Sequence, residues 1–148
     1  MKKEDFVWEM WHLTRELQRS RMGLCMDFCK EYGLTQQQVR ILLQIRNQEK
    51  TTLTELAGIL DINPGNLSKT CKALEESGYI KRIRHDEDKR VWTIELDKKG
   101  IEVTAVVVDR IQDVFGAFST KHSPEELEYL LSFLRDYVQF YQDILNQK

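Results

Sequence analysis

The chain has 148 residues, of which 41% are hydrophobic and 31% charged, and its formal net charge is −2. This composition predicts one folded globular domain and excludes an intrinsically disordered chain. No apolar run approaches the roughly 20 residues of a membrane helix, and the N-terminal residues lack the apolar core of a signal peptide. We therefore expect a cytoplasmic protein without a membrane partner. Three cysteines, an odd number, predict no disulfide framework.

The charges are unevenly distributed along the chain. Between Lys69 and Arg90, seven lysines and arginines stand against five acidic residues. Residues 101–148 hold four basic and eight acidic residues. A chain with this distribution can present a cationic face to phosphate although its overall charge is slightly negative.

Capping residues, hydrophobic spacing, glycines and prolines predict a mainly α protein with one small β-hairpin. In chain order, we first expect a helix from Lys3 to about Glu31 that ends at Gly33, a helix from Thr35 to about Asn47, a helix over Leu53–Leu60 and a helix over 64–77 that ends at Gly78. Two strands follow at 79–84 and 90–96, and Trp92, Ile94 and Leu96 share one face of the second strand. The last two elements are a helix from Lys98 to about Thr120 and a helix that begins at Ser123-Pro124.

The two ends of the chain predict a dimerisation part. The first helix and the last two helices carry more apolar surface than one small domain can cover, and such a surface usually marks an interface. We therefore expect a homodimer with two-fold symmetry. In this interpretation residues 1–148 form a single domain. Residues 34–97 are its DNA-binding part, and residues 1–33 and 98–148 are its helical dimerisation part.

The helix over 64–77 is the candidate DNA-reading element. Leu67, Cys71 and Leu74 fall at the spacing of a buried seam, which predicts a packing role for Cys71. Polar and cationic side chains of the types that read base edges or bind phosphate occupy the opposite and leading faces. The candidate DNA contacts on this helix and its entrance are Asn63, Pro64, Gly65, Asn66, Ser68, Lys69, Thr70 and Lys72. The entrance also offers backbone N–H groups to a phosphate.

The hairpin adds cations beside this helix. Arg84, Lys89 and Arg90 are candidate contacts to the DNA backbone or to an adjacent minor groove. Asp88 and Arg90 are two residues apart, so they can instead pair and stabilise the hairpin tip. Any exposed helix has a solvated polar face, so a single polar residue on it is a weak indication of DNA binding. Two capped helices followed by a cationic hairpin are a more specific indication.

In these segments the sequence resembles the MarR family of winged helix-turn-helix regulators. The resemblance covers nearly the whole chain and is carried by Leu53-Thr-Glu-Leu-Ala57, Leu74-Glu-Glu-Ser-Gly-Tyr-Ile-Lys-Arg82, Asp88-Lys-Arg90 and Leu96-Asp-Lys-Lys-Gly100. Asp97 stands where the family usually has Thr, and the Asn63-Pro64-Gly65 entrance is individual to this chain, so the operator sequence cannot be transferred. The resemblance implies a dimeric transcriptional regulator, most often a repressor released by a small ligand or by oxidation.

The first helix holds two further candidate sites. The resemblance implies a pocket for small aromatic compounds near the dimer helices, and the residues that can line one are Trp8, Trp11, His12, Arg15, Met22 and Met26. Met and aromatic residues at helical spacing are more often plain core. Cys25 and Cys29 lie one helical turn apart, where two thiolates can share a metal or report oxidation, but free cysteine is also a common core residue.

The sequence predicts a double-stranded DNA-binding transcriptional regulator that acts as a homodimer on a pseudo-palindromic operator. We expect a repressor whose DNA affinity a small aromatic effector modulates. The alternatives are a redox- or metal-responsive regulator that uses Cys25 and Cys29, and a winged-helix protein–protein interaction module. An enzyme is not expected, because no nucleophile–base pair or metal-ligand spacing occurs in the sequence. No catalytic residue, metal site or cofactor is assigned.

Overall fold

The computed structural model describes the backbone of residues 2–84 and 92–146, and all their side chains except those of Met22 and Leu24. These residues form six helices and three short strands. In chain order they are α1 (Lys3–Tyr32), α2 (Gln36–Gln48), β1 (Thr51–Thr52), α3 (Leu53–Leu60), α4 (Pro64–Glu76), β2 (Ile80–Arg84), β3 (Trp92–Leu96), α5 (Lys98–Ser119) and α6 (Pro124–Asn146).

The strands form one antiparallel sheet in the order β1-β3-β2. Strand β3 lies in the middle, where Ile94 pairs with Thr51 of β1 on one side and with Arg82 of β2 on the other. The sequence predicted only the β2–β3 hairpin, so β1 is an addition. A two-residue strand has no periodicity to detect, and its pairing with β3 joins residues about forty positions apart.

The hydrophobic core lies within residues 28–107. The centre of this core is almost inaccessible to solvent, and it joins the apolar faces of α2, α3 and α4 to the sheet through Ile41, Leu42, Ile45, Leu56, Leu67, Leu74, Ile80 and Ile94. The end of α1 adds Phe28 and Cys29, and the start of α5 adds Val103 and Val107. This core fixes α4 from one side and leaves its other side to solvent.

The chain divides into two compact units, Met1–Val107 and Val108–Lys148. The second unit consists of the remainder of α5 and all of α6. Helix α6 is amphipathic, and none of its described residues is buried. The functional boundaries at residues 33 and 98 stay a prediction.

The expected fold class is confirmed, and the helix ends agree with the sequence prediction to within one or two residues. The predicted common face of Trp92, Ile94 and Leu96 differs in burial along the strand. Ile94 is buried and Leu96 is half-buried, but Trp92 is 48% exposed. Alternation correctly puts the three side chains on one face, but it does not show that the core stops short of Trp92 at the far end of the strand.

Candidate nucleic-acid interface

Local hydrogen bonds hold α3 and α4 as a helix-turn-helix. Thr52 caps α3 by accepting from the Glu55 N–H at 3.2 Å, and the Glu55 carboxylate accepts from the Thr52 N–H at 2.8 Å. These hydrogen bonds lower the pKa of the exposed Glu55 carboxyl. The left-handed Asp61 ends α3, and Asn63 caps α4 with Pro64 in its first turn. The turn between the helices is therefore set by residues next to one another in sequence.

Helix α4 presents a polar face opposite its buried seam. Leu67, Cys71 and Leu74 are buried, which confirms the predicted seam. Ser68 and Thr70 are half-buried at the flanks, and the exposed residues are Pro64, Gly65, Asn66, Lys69, Lys72, Ala73 and Glu76. Lys69 therefore lies nearest the centre of the exposed face, where a major groove would be met.

Several of these polar groups already have intramolecular partners. The Thr70 hydroxyl donates to the Asn66 carbonyl at 3.0 Å, and the Lys72 ammonium lies 3.9 Å from the Glu76 carboxylate, a weak exposed pair. Asn63 uses its side-chain oxygen as the helix cap, which leaves its amide NH₂ for another acceptor.

The entrance of α4 offers fewer backbone donors than expected. Pro64 has no N–H, the Gly65 N–H donates to the Asn63 side chain at 2.9 Å, and the Leu67 N–H donates to the Asn63 carbonyl. Within the first turn this leaves the Asn66 N–H for a phosphate. The sequence predicted several open N–H groups, but the side chain of an Asn cap accepts a hydrogen bond from one of them.

An arginine and a tryptophan face one another at the end of the described hairpin. Arg84 is the cross-strand partner of Trp92, and its guanidinium lies 5.6 Å from the centre of the indole ring. Both residues are exposed, so the tryptophan face orients a cation at the edge of the sheet. Lys89, Arg90 and Asp88 lie outside the described residues, and their predicted roles at the hairpin tip stay predictions.

The structure adds ion pairs that the sequence did not single out. Arg82 of β2 reaches Glu75 of α4 with 3.2 Å between Nε and Oε2. Glu95 lies within 4 Å of two lysines, Lys50 at 3.4 Å and Lys81 at 3.7 Å. The first pair links α4 to β2, so it supports the position of the hairpin beside α4. Opposite charges this far apart in sequence give no local signal.

The residues proposed for an effector pocket share one face of α1. Trp8 is 66% exposed and Trp11 61%, and His12, Arg15 and Met26 are exposed as well. The Met22 side chain lies outside the described part. Cavities of about 430 and 480 Å³ occur elsewhere, the first beside Arg82 and Trp92 and the second along α6. A single chain therefore aligns these residues without enclosing them, and the pocket stays a prediction.

The structure brings the two cysteines of α1 together. The Cys25 and Cys29 sulfur atoms are 3.7 Å apart, with Cys29 buried and Cys25 half-buried. Burial, with a smaller contribution from Cys25, raises the pKa of Cys29 to about 11. Burial also raises the pKa of Cys71 to about 11, which agrees with its predicted packing role. A redox role for Cys25 and Cys29 stays a prediction.

A capped helix pair with an exposed polar second helix, followed by a cationic antiparallel hairpin, defines a winged helix-turn-helix protein. A family model described as the transcriptional regulator SarA/Rot matches residues 24–106. The HTH-type transcriptional regulator SarZ of Staphylococcus epidermidis is 32% identical over 112 residues, which cover 76% of this chain and 74% of that protein. SarZ of Staphylococcus aureus is 29% identical with the same coverage. The chain belongs to the SarA/Rot family of transcriptional regulators.

Solved structures agree on the fold. MarR from E. coli in complex with operator DNA superposes with a TM-score of 0.68 and 19% identity, over 93% of this chain and 99% of that one. FabT from Streptococcus pneumoniae in complex with DNA gives a TM-score of 0.75 and 20% identity, over 90% and 99%. The MarR-type resemblance is confirmed, and the protein is a DNA-binding transcriptional regulator rather than an enzyme. Among the described residues, no helix has the length and apolar character that crossing a membrane requires.

Proposed function

We propose that the protein acts as a homodimer on a pseudo-palindromic operator, with one α4 in each of two successive major grooves. The observation that carries this proposal is the exposed face of α4, on which Asn66 and Lys69 project away from a seam that the core holds rigidly. Asn pairs with adenine through N6 and N7, and Lys with guanine through O6 and N7. As a DNA-binding regulator it would meet this operator in the cytoplasm.

The remaining candidate contacts divide by chemistry. Ser68 and Thr70 at the flanks of the exposed face, and Lys72 within it, suit phosphate or base edges. The Asn66 N–H at the entrance of α4 suits a phosphate. Arg84, held over Trp92, suits the DNA backbone beside the groove, as do Lys89 and Arg90 by sequence.

The proposed dimer is supported by apolar surface that a single chain leaves uncovered. On α6 the exposed fraction is 49% for Leu131, 40% for Leu134 and 53% for Val138, and on α1 Phe6 and Leu17 are also exposed. Leu131, Leu134 and Val138 share one face of a 23-residue helix in which no described residue is buried. A contiguous apolar surface of this kind indicates an interface, and two-fold pairing is the usual solution.

Control by an effector forms the second part of the proposal. The aromatic face of α1 would become part of a pocket once a second copy covers it, and a small aromatic compound would bind there. Such a compound would change the separation of the two α4 helices, which can read adjacent grooves only when they are about 34 Å apart. We expect the protein to repress its target and the compound to release it.

A salt titration of DNA binding tests the proposed function. The full-length protein is titrated onto a duplex from its own upstream region at increasing salt, and the logarithm of the affinity is plotted against that of the salt concentration. The slope should be about −0.9 for each phosphate contact, hence steeply negative for a dimer. Failure to bind this duplex at low salt, or an affinity that does not change with salt, would overturn the proposal in favour of a protein–protein module.

A further inference from the structure

The two thiols near the end of α1 form a preorganised pair that DNA reading does not use. We propose that Cys25 and Cys29 are a two-sulfur clamp for a thiophilic centre that binds two thiolates and no third protein ligand. Two sources share this chemistry, a monosubstituted trivalent arsenical and Cu(I). The inference concerns α1 alone and does not depend on the proposed dimer or operator.

The spacing of the sulfur atoms suits a bridging atom. They are 3.7 Å apart. Two bonds of about 2.3 Å from one atom hold the sulfurs about 3.8 Å apart when they meet at a bent, near-tetrahedral angle, and more than about 4 Å apart when they are collinear, as on a Cu(I) ion with only two thiolates. The pair therefore already spans the distance that a bent centre such as trivalent arsenic requires, and a collinear Cu(I) needs the two sulfurs to move slightly further apart. Binding would need only small changes in the two side chains.

A direct disulfide suits this position less well. Residues four apart on a helix have Cβ atoms about 5–6 Å apart, whereas a disulfide needs about 3.5–4.5 Å. Closing it would distort the last turns of α1. Those turns are anchored, because the buried Cys29 packs in the core and its carbonyl accepts the Leu34 N–H at 2.9 Å.

The number of ligands selects among thiophilic ions. Structural zinc is almost always held by four protein ligands, but the residues that the structure describes contain no group of three or more His, Cys, Asp or Glu side chains placed to hold a metal. Cu(I) is a soft ion that thiolates select, and a monosubstituted arsenical has only two positions left for sulfur. Both centres bind two thiolates, and this turn of α1 supplies two thiols.

The binding reactions balance without an oxidant or a reductant. With an arsine oxide, the two thiols form two As–S bonds, the As–O bond breaks, and the oxygen leaves as water with both thiol protons. Arsenic stays trivalent. With Cu(I), two Cu–S bonds form, two protons go to solvent, and copper keeps its charge. In each case the bound centre replaces the protons that the two thiols hold.

Stoichiometric capture by the full-length reduced protein tests the clamp. Phenylarsine oxide is followed by intact mass spectrometry, and Cu(I) is offered from a competing chelator. We expect one equivalent of either probe per chain. Capture by only one of them also supports the clamp and identifies its source. Closing the second bond within one chain should make the affinity roughly a hundredfold or more higher than that of a single thiol.

Single substitutions separate the clamp from general thiol reactivity. Cys25→Ser and Cys29→Ser should each lose tight capture, whereas Cys71→Ser should keep it. Cys25 is half-buried, so Cys25→Ser carries the test if circular dichroism shows that Cys29→Ser does not fold. The proposal is overturned if neither probe is captured, if folded Cys25→Ser binds as tightly as the original chain, or if capture depends on Cys71.

Discussion

Lys69 lies at the centre of the exposed face of α4, with the buried seam of Leu67, Cys71 and Leu74 directly behind it. The seam holds the helix rigidly, so the position of the lysine relative to DNA is set by the core rather than by the flexible side chain. A cation in this position can reach a guanine edge or a phosphate. We therefore expect the contribution of Lys69 to DNA binding to depend on its position on α4 and not on the total charge of the protein.

Lys69→Ala should weaken operator binding about tenfold or more, corresponding to roughly 1–3 kcal/mol for the loss of one good base contact. The matched control is Lys121→Ala, which removes the same charge from an exposed site between α5 and α6. Gel shifts with both variants measure the difference. Equal affinities of Lys69→Ala and the original chain would remove Lys69 from the interface.

Cys71 should react slowly with an alkylating agent, and its rate should rise with pH. Burial raises the pKa of this thiol to about 11. The thiolate is the reactive form, so its fraction and the rate should rise about tenfold per pH unit between about pH 8 and pH 10. In denaturant the rise should level off near the ordinary thiol pKa of about 8.5. Peptide-level mass spectrometry after iodoacetamide treatment measures both rates, and matching pH profiles would contradict the burial effect.

Which residues reach the surface of α4 could be predicted from the sequence, but what they bond to could not. The spacing of Leu67, Cys71 and Leu74 correctly identified the buried side. It could not show that Asn63 binds the Gly65 N–H or that Thr70 binds a backbone carbonyl. Local sequence offers these side chains several partners, and the geometry of the folded helix decides among them.

At the scale of elements, the exit of α4 and the start of α5 meet at a glycine. A Cβ atom on Gly100 would overlap the Tyr79 carbonyl oxygen, which accepts the Asp97 N–H at 2.9 Å. Tyr79 follows Gly78, whose positive φ of 77° turns the chain out of α4. This close contact therefore packs the chain that leaves α4 against the start of α5.

Gly100→Ala should destabilise the protein by about 1–3 kcal/mol, because the added methyl group meets backbone that cannot move away alone. Gly116→Ala is the control on the same helix, where an added Cβ meets nothing within 4 Å. That change should be neutral or stabilising by roughly 0.5–1 kcal/mol. Urea denaturation measures both. A Gly100→Ala variant as stable as Gly116→Ala would rule out the close packing.

Elements with local signals were predictable, and those formed by distant pairing were not. The capping pairs Thr35 with Gln38 and Thr52 with Glu55 form as the sequence indicated. Strand β1 escaped prediction because its two threonines also lead into α3, and only their pairing with β3 makes them a strand. The Arg82–Glu75 ion pair was not predicted either, because it forms only when folding brings β2 beside α4.

At the scale of the whole molecule, dimerisation should depend on the apolar face of α6. Leu134→Asp places a charge in that face and should dissociate the dimer and weaken operator binding. Ser132→Asp adds the same charge to the opposite side of the helix and should leave both unchanged. Analytical ultracentrifugation gives the oligomeric state. A folded Leu134→Asp protein that stays dimeric would show that another surface forms the interface.

The assembly is the part that one sequence predicts least directly. The spacing of leucines and aromatic residues predicted a partner surface on the terminal helices, and the exposed apolar face of α6 supports that prediction. The residue spacing and the exposed face of α6 do not give the separation of the two α4 helices, because that separation depends on how two copies pack together. The order and spacing of operator half-sites depend on the same geometry.

In the proposed complex, a symmetric dimer reads DNA through two copies of α4. Selection of bound duplexes from a random pool, followed by sequencing, tests it most directly because no operator is assumed. We expect enrichment of two inverted half-sites whose centres lie about 10–10.5 base pairs, one helical turn, apart. Enrichment of a single unpaired site, or no enrichment above the starting pool, would contradict it.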